Sequence, residues 1–200
     1  MPSEGWRNRC AEGQPSGPAE TFLCATRTAV YARVQHPDSP FDLESSVEEP
    51  PTVLLAAAEE LNEALSRLGQ PLRRLRELLM QRLDDDADKL DSATRNRIDA
   101  IARSLKYRCE DIVEAWRFML SSLVTGTQPD FIDWFSVQRI DGRDIDVGMH
   151  RHWADPSIPF AEAVLRPAHG ALITSATLTD GSGDIDADWQ SAESRTGASH

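Results

Sequence analysis

Leucine and alanine recur every three or four residues in the middle of the chain, which is the spacing of one face of an α-helix. This stripe begins after Thr52, whose hydroxyl can cap a helix N-terminus, and continues to the acidic run 84–86. Gly69 suits the left-handed residue that ends a helix, and Pro71 suits the first turn of the next. We therefore expect two consecutive helices here. The stripe consists of Leu54, Leu55, Ala58, Leu61, Leu65, Leu68, Leu72, Leu75, Leu78, Leu79 and Leu83.

A second apolar stripe predicts a further helical stretch, which begins near Asp91 or Ser92 and ends before Gly126. Arg108 or Cys109 marks a weak turn within it. The spacing approximates a heptad repeat, which favours long, nearly antiparallel helices packed on each other. We therefore predict a helical bundle over residues 52–127. The stripe consists of Ile98, Ile101, Leu105, Ile112, Trp116, Met119 and Leu123.

The hydrophobic pattern before residue 52 and after residue 127 differs from that of the predicted bundle. Residues 1–51 lack a long apolar period and predict an irregular segment with one short helix, Thr21–Arg33, in front of the helix-breaking Pro37. After the bundle, residues 131–139 and 145–153 alternate like strands. Asp141 and Gly142 between them form a hairpin turn signal.

Three further elements are predicted in residues 128–200. Pro159 opens a short helix that runs through Leu165, and a helix starts at Asp184 and runs to Arg195. The run 170–174 is short and almost wholly apolar, which is typical of a strand buried in a parallel sheet. We therefore expect an α+β chain in which the long-helix antiparallel bundle joins a partial α/β domain with no closing strand.

Charge limits which partners the chain can bind on its own. The formal net charge is −12, so the chain as a whole is a poor autonomous DNA binder. Arginine is dense only within residues 53–124, where a cationic helical face can grip phosphate. The alternative is a solvated face in which these arginines pair with neighbouring glutamates and aspartates at helical spacing.

The sequence contains no apolar run long enough to cross a bilayer and no secretory signal at its start. Cys10, Cys24 and Cys109 are widely spaced and odd in number, so we expect free thiols rather than a disulfide framework. These features predict a cytoplasmic protein with no membrane partner.

Most catalytic and metal-binding patterns are absent from the sequence. It contains neither the Gly-x-Ser-x-Gly elbow of a hydrolase nor the Gly-x-x-x-x-Gly-Lys-Ser/Thr loop that cradles phosphates, so we assign no catalytic residue. A weak alternative is a metallohydrolase in which Asp144, Asp146, His150 and His152 share one strand face and bind a metal ion. The favoured interpretation of these four residues is a solvated hairpin face, with no metal site.

The most specific segment is Thr174-Ser175-Ala176-Thr177-Leu178, in which two hydroxyl residues flank an alanine directly after the predicted buried strand. Such a strand delivers hydrogen-bonding groups to the carboxyl edge of a sheet, where α/β folds bind ligands. This stretch resembles motif III of the Rad3-related superfamily 2 helicases, the DinG/XPD-like family. Residues 141–153 resemble the DinG-like helicases of alphaproteobacteria in particular.

The resemblance extends over residues 52–197 and implies a role for each part. It implies that residues 52–127 form an Arch-like domain that helps to enclose single-stranded DNA, and that residues 128–200 belong to the first motor domain. It further implies that Ser175 and Thr177 couple the ATP site to DNA, with Thr174 as strand-end support beside Ala176 and Leu178. The family uses ATP and Mg²⁺, in some members also an iron–sulfur cluster, for 5′-to-3′ translocation and unwinding of DNA in repair or replication.

Several family motifs have no counterpart in this sequence. They are the phosphate-binding motif I, the Asp-Glu-Ala-His motif II, the iron–sulfur cysteines and the second motor domain. We therefore expect an internal piece of a longer helicase, inactive alone, whose partners are single-stranded DNA and the remaining motor domains. The alternative hypothesis is a non-enzymatic module that docks through the apolar stripe of the bundle.

Overall fold

The computed structural model describes residues 5–199 and shows a mixed α+β fold with two compact units. The first unit comprises residues 5–128 and Asp133–Arg151, and the second comprises Pro129–Ile132 and residues 152–199. The elements between residues 5 and 128 are α1 (Trp6–Ala11), α2 (Pro18–Arg33), β1 (Leu43–Ser46), α3 (Thr52–Asp85), α4 (Ser92–Leu105), a π-helical segment (Lys106–Asp111) and α5 (Ile112–Thr125). They are followed by β2 (Phe131–Ile140), β3 (Arg143–Trp153), α6 (Ser157–Phe160), a π-helical turn (Ala161–Leu165) and α7 (Ile185–Thr196).

Helix α3 is continuous over 34 residues, so the predicted break at Gly69 and Pro71 is wrong. Gly69 is helical and buried, because α3 approaches its neighbour closely at this point. A Cβ added to Gly69 would lie 3.8 Å from both the Cys109 carbonyl oxygen and Val113 Cγ1. Pro71 removes one helical hydrogen bond, but α3 packs against α2, α4 and α5, and this packing maintains the helix.

The second predicted helical stretch is confirmed from Ser92 to Thr125. The carboxylate of Asp91 caps its start by accepting a hydrogen bond from the Thr94 amide at 2.8 Å. The expected weak turn appears as the π-helical segment that separates α4 from α5. Gly126, with φ of 87°, ends the helix.

The N-terminal part holds more regular structure than expected. The predicted helix at Thr21–Arg33 is confirmed and begins earlier, at Pro18. The short helix α1 and strand β1 replace predicted loop. Strand β1 pairs antiparallel with β2, and Leu43 lies opposite Val137.

The predicted hairpin is confirmed, and β2 is the central strand of the order β1-β2-β3. Asp141 and Gly142 have φ of 51° and 74°, the left-handed pair that a tight two-residue turn requires. Phe135 and Val137 on β2 and Val147 and Met149 on β3 supply alternate apolar side chains to the core, and the helices supply the rest. The fully enclosed side chains of this core include Phe22, Val30, Leu54, Leu120, Phe135 and Val137.

In the second unit, the predicted helices are confirmed as α6 with its π-helical turn and as α7. Asp184 caps α7 by accepting from the Asp186 and Ala187 amides. The predicted buried strand at 170–174 is wrong: this segment has no regular secondary structure and no strand partner, and it is largely solvent-exposed, with Leu172 89% accessible. An apolar run becomes a buried strand only where neighbouring strands supply hydrogen bonds and cover, and residues 5–199 place no strand beside it.

Across residues 5–199, no helix combines the length and the apolar character that a bilayer crossing requires.

Candidate functional site

The segment Thr174–Leu178 forms an exposed turn rather than the end of a buried strand. The Thr177 amide donates a hydrogen bond to Ser175 Oγ at 3.2 Å, which closes a small serine turn. The two hydroxyl oxygens, Ser175 Oγ and Thr177 Oγ1, lie 3.3 Å apart. Both hydroxyl groups and Thr174 therefore face solvent, where they can accept or donate hydrogen bonds to another group.

Helix α7 holds the C-terminal side of this turn in place. Arg195 donates a hydrogen bond to the Leu178 carbonyl oxygen at 3.3 Å and forms a 2.8 Å ion pair with Asp180. Ser191 Oγ donates to the other oxygen of the same carboxylate at 3.0 Å. The hydroxyl pair thus sits on a turn that is fixed to a helix at one end.

A neighbouring loop is pinned to α7 in the same way. Hydrogen bonds from Ser182, including its amide at 3.1 Å, hold the pKa of the Asp188 carboxyl below its usual range. Asp188 therefore stays ionised near neutral pH and keeps the Ser182 loop against the start of α7. No hydrogen bond among the described residues joins a histidine, aspartate or glutamate side chain to either hydroxyl of the pair, so the site lacks a general base of its own.

The arginines of the helical region are largely paired with acidic neighbours. Arg73 binds Glu114 at 3.0 Å across the α3–α5 contact, and Arg76 pairs with Glu110. Arg103 pairs with Asp99 on its own helix. These contacts favour the balanced, solvated face over a continuous phosphate-gripping face.

The structure separates the four residues of the metallohydrolase alternative. Asp144 and His150 are six residues apart on β3, or about 20 Å at the usual rise of a strand. Asp144 is held by Arg27 and Arg139, whereas His150 stacks on Trp134 with ring centroids 5.2 Å apart. Residues 5–199 contain no group of three side chains suited to hold a metal ion. The geometry therefore gives this alternative no support.

The expectation of three free thiols is wrong for two of them. Cys10 on α1 and Cys24 on α2 form a disulfide, with Cα atoms 5.3 Å apart, and Cys109 is the free cysteine. The side chains of Arg9 and Glu20 form a second link between the same helices. No spacing rule predicts this pairing, because it depends on how α1 folds back along α2.

Sequence reasoning also missed a cluster of charged and aromatic side chains where α2 meets the β2–β3 hairpin. Asp144 accepts hydrogen bonds from Arg27 Nε at 2.7 Å, Arg139 Nε at 2.9 Å and the Tyr31 hydroxyl at 2.9 Å. The Arg27 guanidinium also lies 4.4 Å from the centre of the Tyr31 ring, which adds a cation–π contact. Two features of the sequence could have indicated this cluster. Arg27 and Tyr31 are four residues apart on one helix face, and Arg139 and Asp144 flank the hairpin turn.

Hydrogen bonds and neighbouring charges keep Asp144 and Arg139 of this cluster ionised. Burial acts to raise the pKa of Asp144, but the hydrogen bonds from Arg139, Arg27 and Tyr31 outweigh it and hold the pKa below its usual range. For Arg139, burial acts to lower the pKa, and Asp144 and Tyr31 raise it overall. Asp144 is therefore a carboxylate whose oxygens are already engaged.

A second buried ion pair lies at the other end of the hairpin. Asp133 accepts hydrogen bonds from Arg151 Nε at 2.7 Å and from the hydroxyls of Ser122 and Thr127, each at 3.0 Å. Burial acts to raise the pKa of Asp133, but these donors lower it overall. This pair ties β2 and β3 to the end of α5 and has a structural role.

Comparison of the chain with protein-family models, with curated proteins and with solved structures found no match.

Proposed function

We propose that this chain is part of an ATP-dependent DNA helicase of the Rad3-related (DinG/XPD-like) type, which translocates 5′ to 3′ and unwinds DNA in repair or replication. The observation that carries the proposal is the Thr174-Ser175-Ala176-Thr177-Leu178 sequence, with its hydroxyl pair 3.3 Å apart at an exposed turn. In this role the hydroxyl pair links the nucleotide state of the motor to the strength with which the motor binds DNA.

The exposed apolar segment before the turn supports this role. Leu172 is 89% accessible, and the run from Gly170 to Thr174 has no regular secondary structure and no strand partner among residues 5–199. An unpaired apolar segment can add to a sheet edge as a further strand. In the proposed helicase, this segment becomes a strand of the first motor domain when the rest of that domain covers it.

The long helices supply the second part of the proposal. Helix α3 packs against α4 and α5 as an extended helical arm, which we propose is the Arch-like element that helps to enclose single-stranded DNA. The remaining motor domains supply the other wall of the channel.

ATP and Mg²⁺ do not fit the residues of this chain. The sequence has no phosphate-cradling Gly-x-x-x-x-Gly-Lys-Ser/Thr loop, and residues 5–199 contain no cluster of carboxylate and imidazole side chains for a metal ion. An iron–sulfur cluster does not fit either, because it needs four thiolates and two of the three cysteines form a disulfide. Nucleotide hydrolysis is therefore assigned to the parts of the helicase that carry those motifs.

The test uses the complete polypeptide encoded by the reading frame that contains this chain. The double variant Ser175→Ala/Thr177→Ala is expected to reduce DNA unwinding about tenfold. Each alanine removes a hydrogen bond that the hydroxyl group would form once it is buried in the assembled motor. ATP binding should persist. Thr179→Ala is the matched control, since Thr179 is exposed and lies just outside the motif. A reading frame without a phosphate-binding loop, or full unwinding by the double variant, overturns the proposal.

A second candidate function is a helical interaction module, and one observation favours it. The second half of α3 exposes apolar side chains on one face, with Leu68 54%, Leu75 45% and Leu78 47% accessible. Such a face suits helix-in-groove docking. The variant Leu75→Gln/Leu78→Gln distinguishes the two candidates, because it should abolish partner binding by a module but leave the coupling of ATP hydrolysis to DNA intact in a helicase.

A further inference from the structure

A cleft of about 400 Å³ lies between α1, α2 and the β2–β3 turn, within the first unit. Four arginines and Asp144 are among the residues that line it. The basic residues come from three separate elements: Arg7 on α1, Arg27 on α2, and Arg139 and Arg143 on the hairpin. Its volume lies in the range of small-ligand pockets.

Positive charge exceeds negative charge in this cleft. Asp144 is shared by Arg27 at 2.7 Å and Arg139 at 2.9 Å, so a single carboxylate faces two guanidinium groups. Arg7 donates to the backbone carbonyl oxygen of Asp144, and neither Arg7 nor Arg143 forms an ion pair with a carboxylate among the described residues. Two cationic groups therefore remain available at the mouth of the cleft, in a chain whose net charge is −12.

The cleft is held in shape without a ligand. The disulfide between Cys10 and Cys24 and the ion pair of Arg9 with Glu20 fix α1 against α2, which positions Arg7. Arg139 is 6% exposed and is anchored further by its hydrogen bond to the Pro37 carbonyl oxygen at 2.8 Å. A site whose donors are already ordered loses little entropy when an anion binds.

We propose that this cleft binds the phosphate group of a phosphate ester through Arg7 and Arg143, with Arg27 and Arg139 as the positively charged floor. Guanidinium forks match phosphate oxygens in geometry and keep their charge at all physiological pH values. Carboxylate ligands are a poorer match because they offer fewer oxygens to the guanidinium groups of Arg7 and Arg143. The source of the phosphate is either the backbone of single-stranded nucleic acid or a free phosphate ester. The cleft lies outside the motif-III-like segment, so this proposal does not rest on the helicase assignment.

The experiment measures binding of two probes to the intact chain. Fluorescence anisotropy follows a 5′-labelled twelve-residue oligothymidine, and calorimetry follows inorganic pyrophosphate. The variant Arg7→Gln/Arg143→Gln is expected to weaken both interactions about tenfold or more, because it removes charge-assisted hydrogen bonds. For the DNA probe, the slope of log K against log salt concentration should fall in magnitude by about 1.4, since two phosphate contacts are lost.

A matched double variant controls for net charge. Arg33→Gln/Arg166→Gln removes two positive charges from positions outside both the cleft and the helical arm, and it should bind both probes as the unaltered chain does. Arg143→Gln alone keeps the test valid if the double variant unfolds, because Arg143 is exposed and lies at the first position of β3.

The two probes also identify the source of the phosphate. Tighter binding of the oligothymidine than of pyrophosphate indicates a nucleic-acid backbone, and preference for pyrophosphate indicates a free phosphate ester. The proposal is overturned if the unaltered chain binds neither probe, or if the cleft variants bind both within twofold of it. It is also overturned if the control variant loses as much affinity as the cleft variant.

Discussion

Arg139 and Asp144 face each other across the turn of the β2–β3 hairpin, with Arg139 Nε 2.9 Å from Asp144 Oδ1. Their side chains are 6% and 12% exposed, so the pair is largely removed from water. Tyr31 joins the same pair from α2. Arg27 of α2 also pairs with Asp144, so this carboxylate fastens the turn to the helical part of the first unit, and its loss leaves buried charge uncompensated.

The first prediction concerns this contact. Asp144→Asn should lower the free energy of unfolding by about 3 kcal/mol, because it leaves Arg139 and Arg27 without a carboxylate partner. Urea unfolding at pH 7 measures the change. Asp141→Asn is the matched control, since Asp141 is exposed and asparagine tolerates its positive φ of 51°. Equal stability of the two variants would contradict the role given to Asp144.

The second prediction concerns pH. Both Asp144 and Asp133 have a lower pKa in the folded chain than the value of about 3.9 expected after unfolding. Their contribution to stability is therefore complete above about pH 5, begins to fall near the unfolded value and is lost as the pH falls through the lower pKa of the folded chain. The stability difference between the unaltered chain and Asp144→Asn should be constant from pH 7 to 5 and should shrink below about pH 4. Urea unfolding across this range checks it, and a difference that does not change with pH would refute it.

The third prediction concerns Gly69, where sequence and structure disagree. A Cβ at this position would meet its neighbours at 3.8 Å, which is ordinary van der Waals contact. Gly69→Ala should therefore stabilise the chain by about 0.5–1 kcal/mol through helix propensity. Gly69→Leu should destabilise it by about 1–3 kcal/mol, because the larger side chain overpacks the contact with Val113. Thermal melting of both variants gives the answer. A loss of stability in Gly69→Ala would instead favour the helix end that the sequence predicted.

Elements whose signals are local were predicted correctly. Asp91 and Asp184 precede α4 and α7 and cap them through their own carboxylates, and Asp141-Gly142 forms the hairpin turn. Each of these features depends on residues within a few positions along the chain. Gly69 illustrates the limit of such signals, because a glycine that ends a helix and a glycine that lets two helices approach look alike in sequence.

Features that depend on distant partners were missed. The apolar run at 170–174 resembles a buried strand, but burial requires neighbours that residues 5–199 do not provide. The phosphate cleft joins Arg7 and Asp144, which are 137 residues apart, and no periodicity connects them. The pairing of Cys10 with Cys24 similarly follows from the packing of α1 on α2. The motif-like segment 174–178 could be identified from the sequence as a candidate site, whereas the cleft could not.

The fourth prediction concerns the disulfide. Purified under non-reducing conditions, the denatured chain should show one reactive thiol, Cys109, and three after reduction. Cys10→Ser/Cys24→Ser should lower the free energy of unfolding by about 3 kcal/mol, the value expected for closing a loop of this length. Cys109→Ser is the control and should not change the number of oxidised cysteines. Three reactive thiols without reduction would contradict the cross-link between α1 and α2.

The fifth prediction separates the stability of this chain from the proposed role of its exposed apolar segment. Leu172 is 89% accessible, so Leu172→Asp should change the melting of this chain by no more than about 0.5 kcal/mol, as for other exposed positions. If the chain is part of the proposed helicase, the same position is covered there by neighbouring strands, and a buried unpaired carboxylate would be strongly unfavourable. Leu172→Asp should therefore abolish unwinding by the complete enzyme, whereas Leu172→Val, which keeps an apolar side chain suited to a strand, should preserve it. Full unwinding by Leu172→Asp would show that this segment stays exposed in the complete protein and would remove the structural support for its role as a coupling strand.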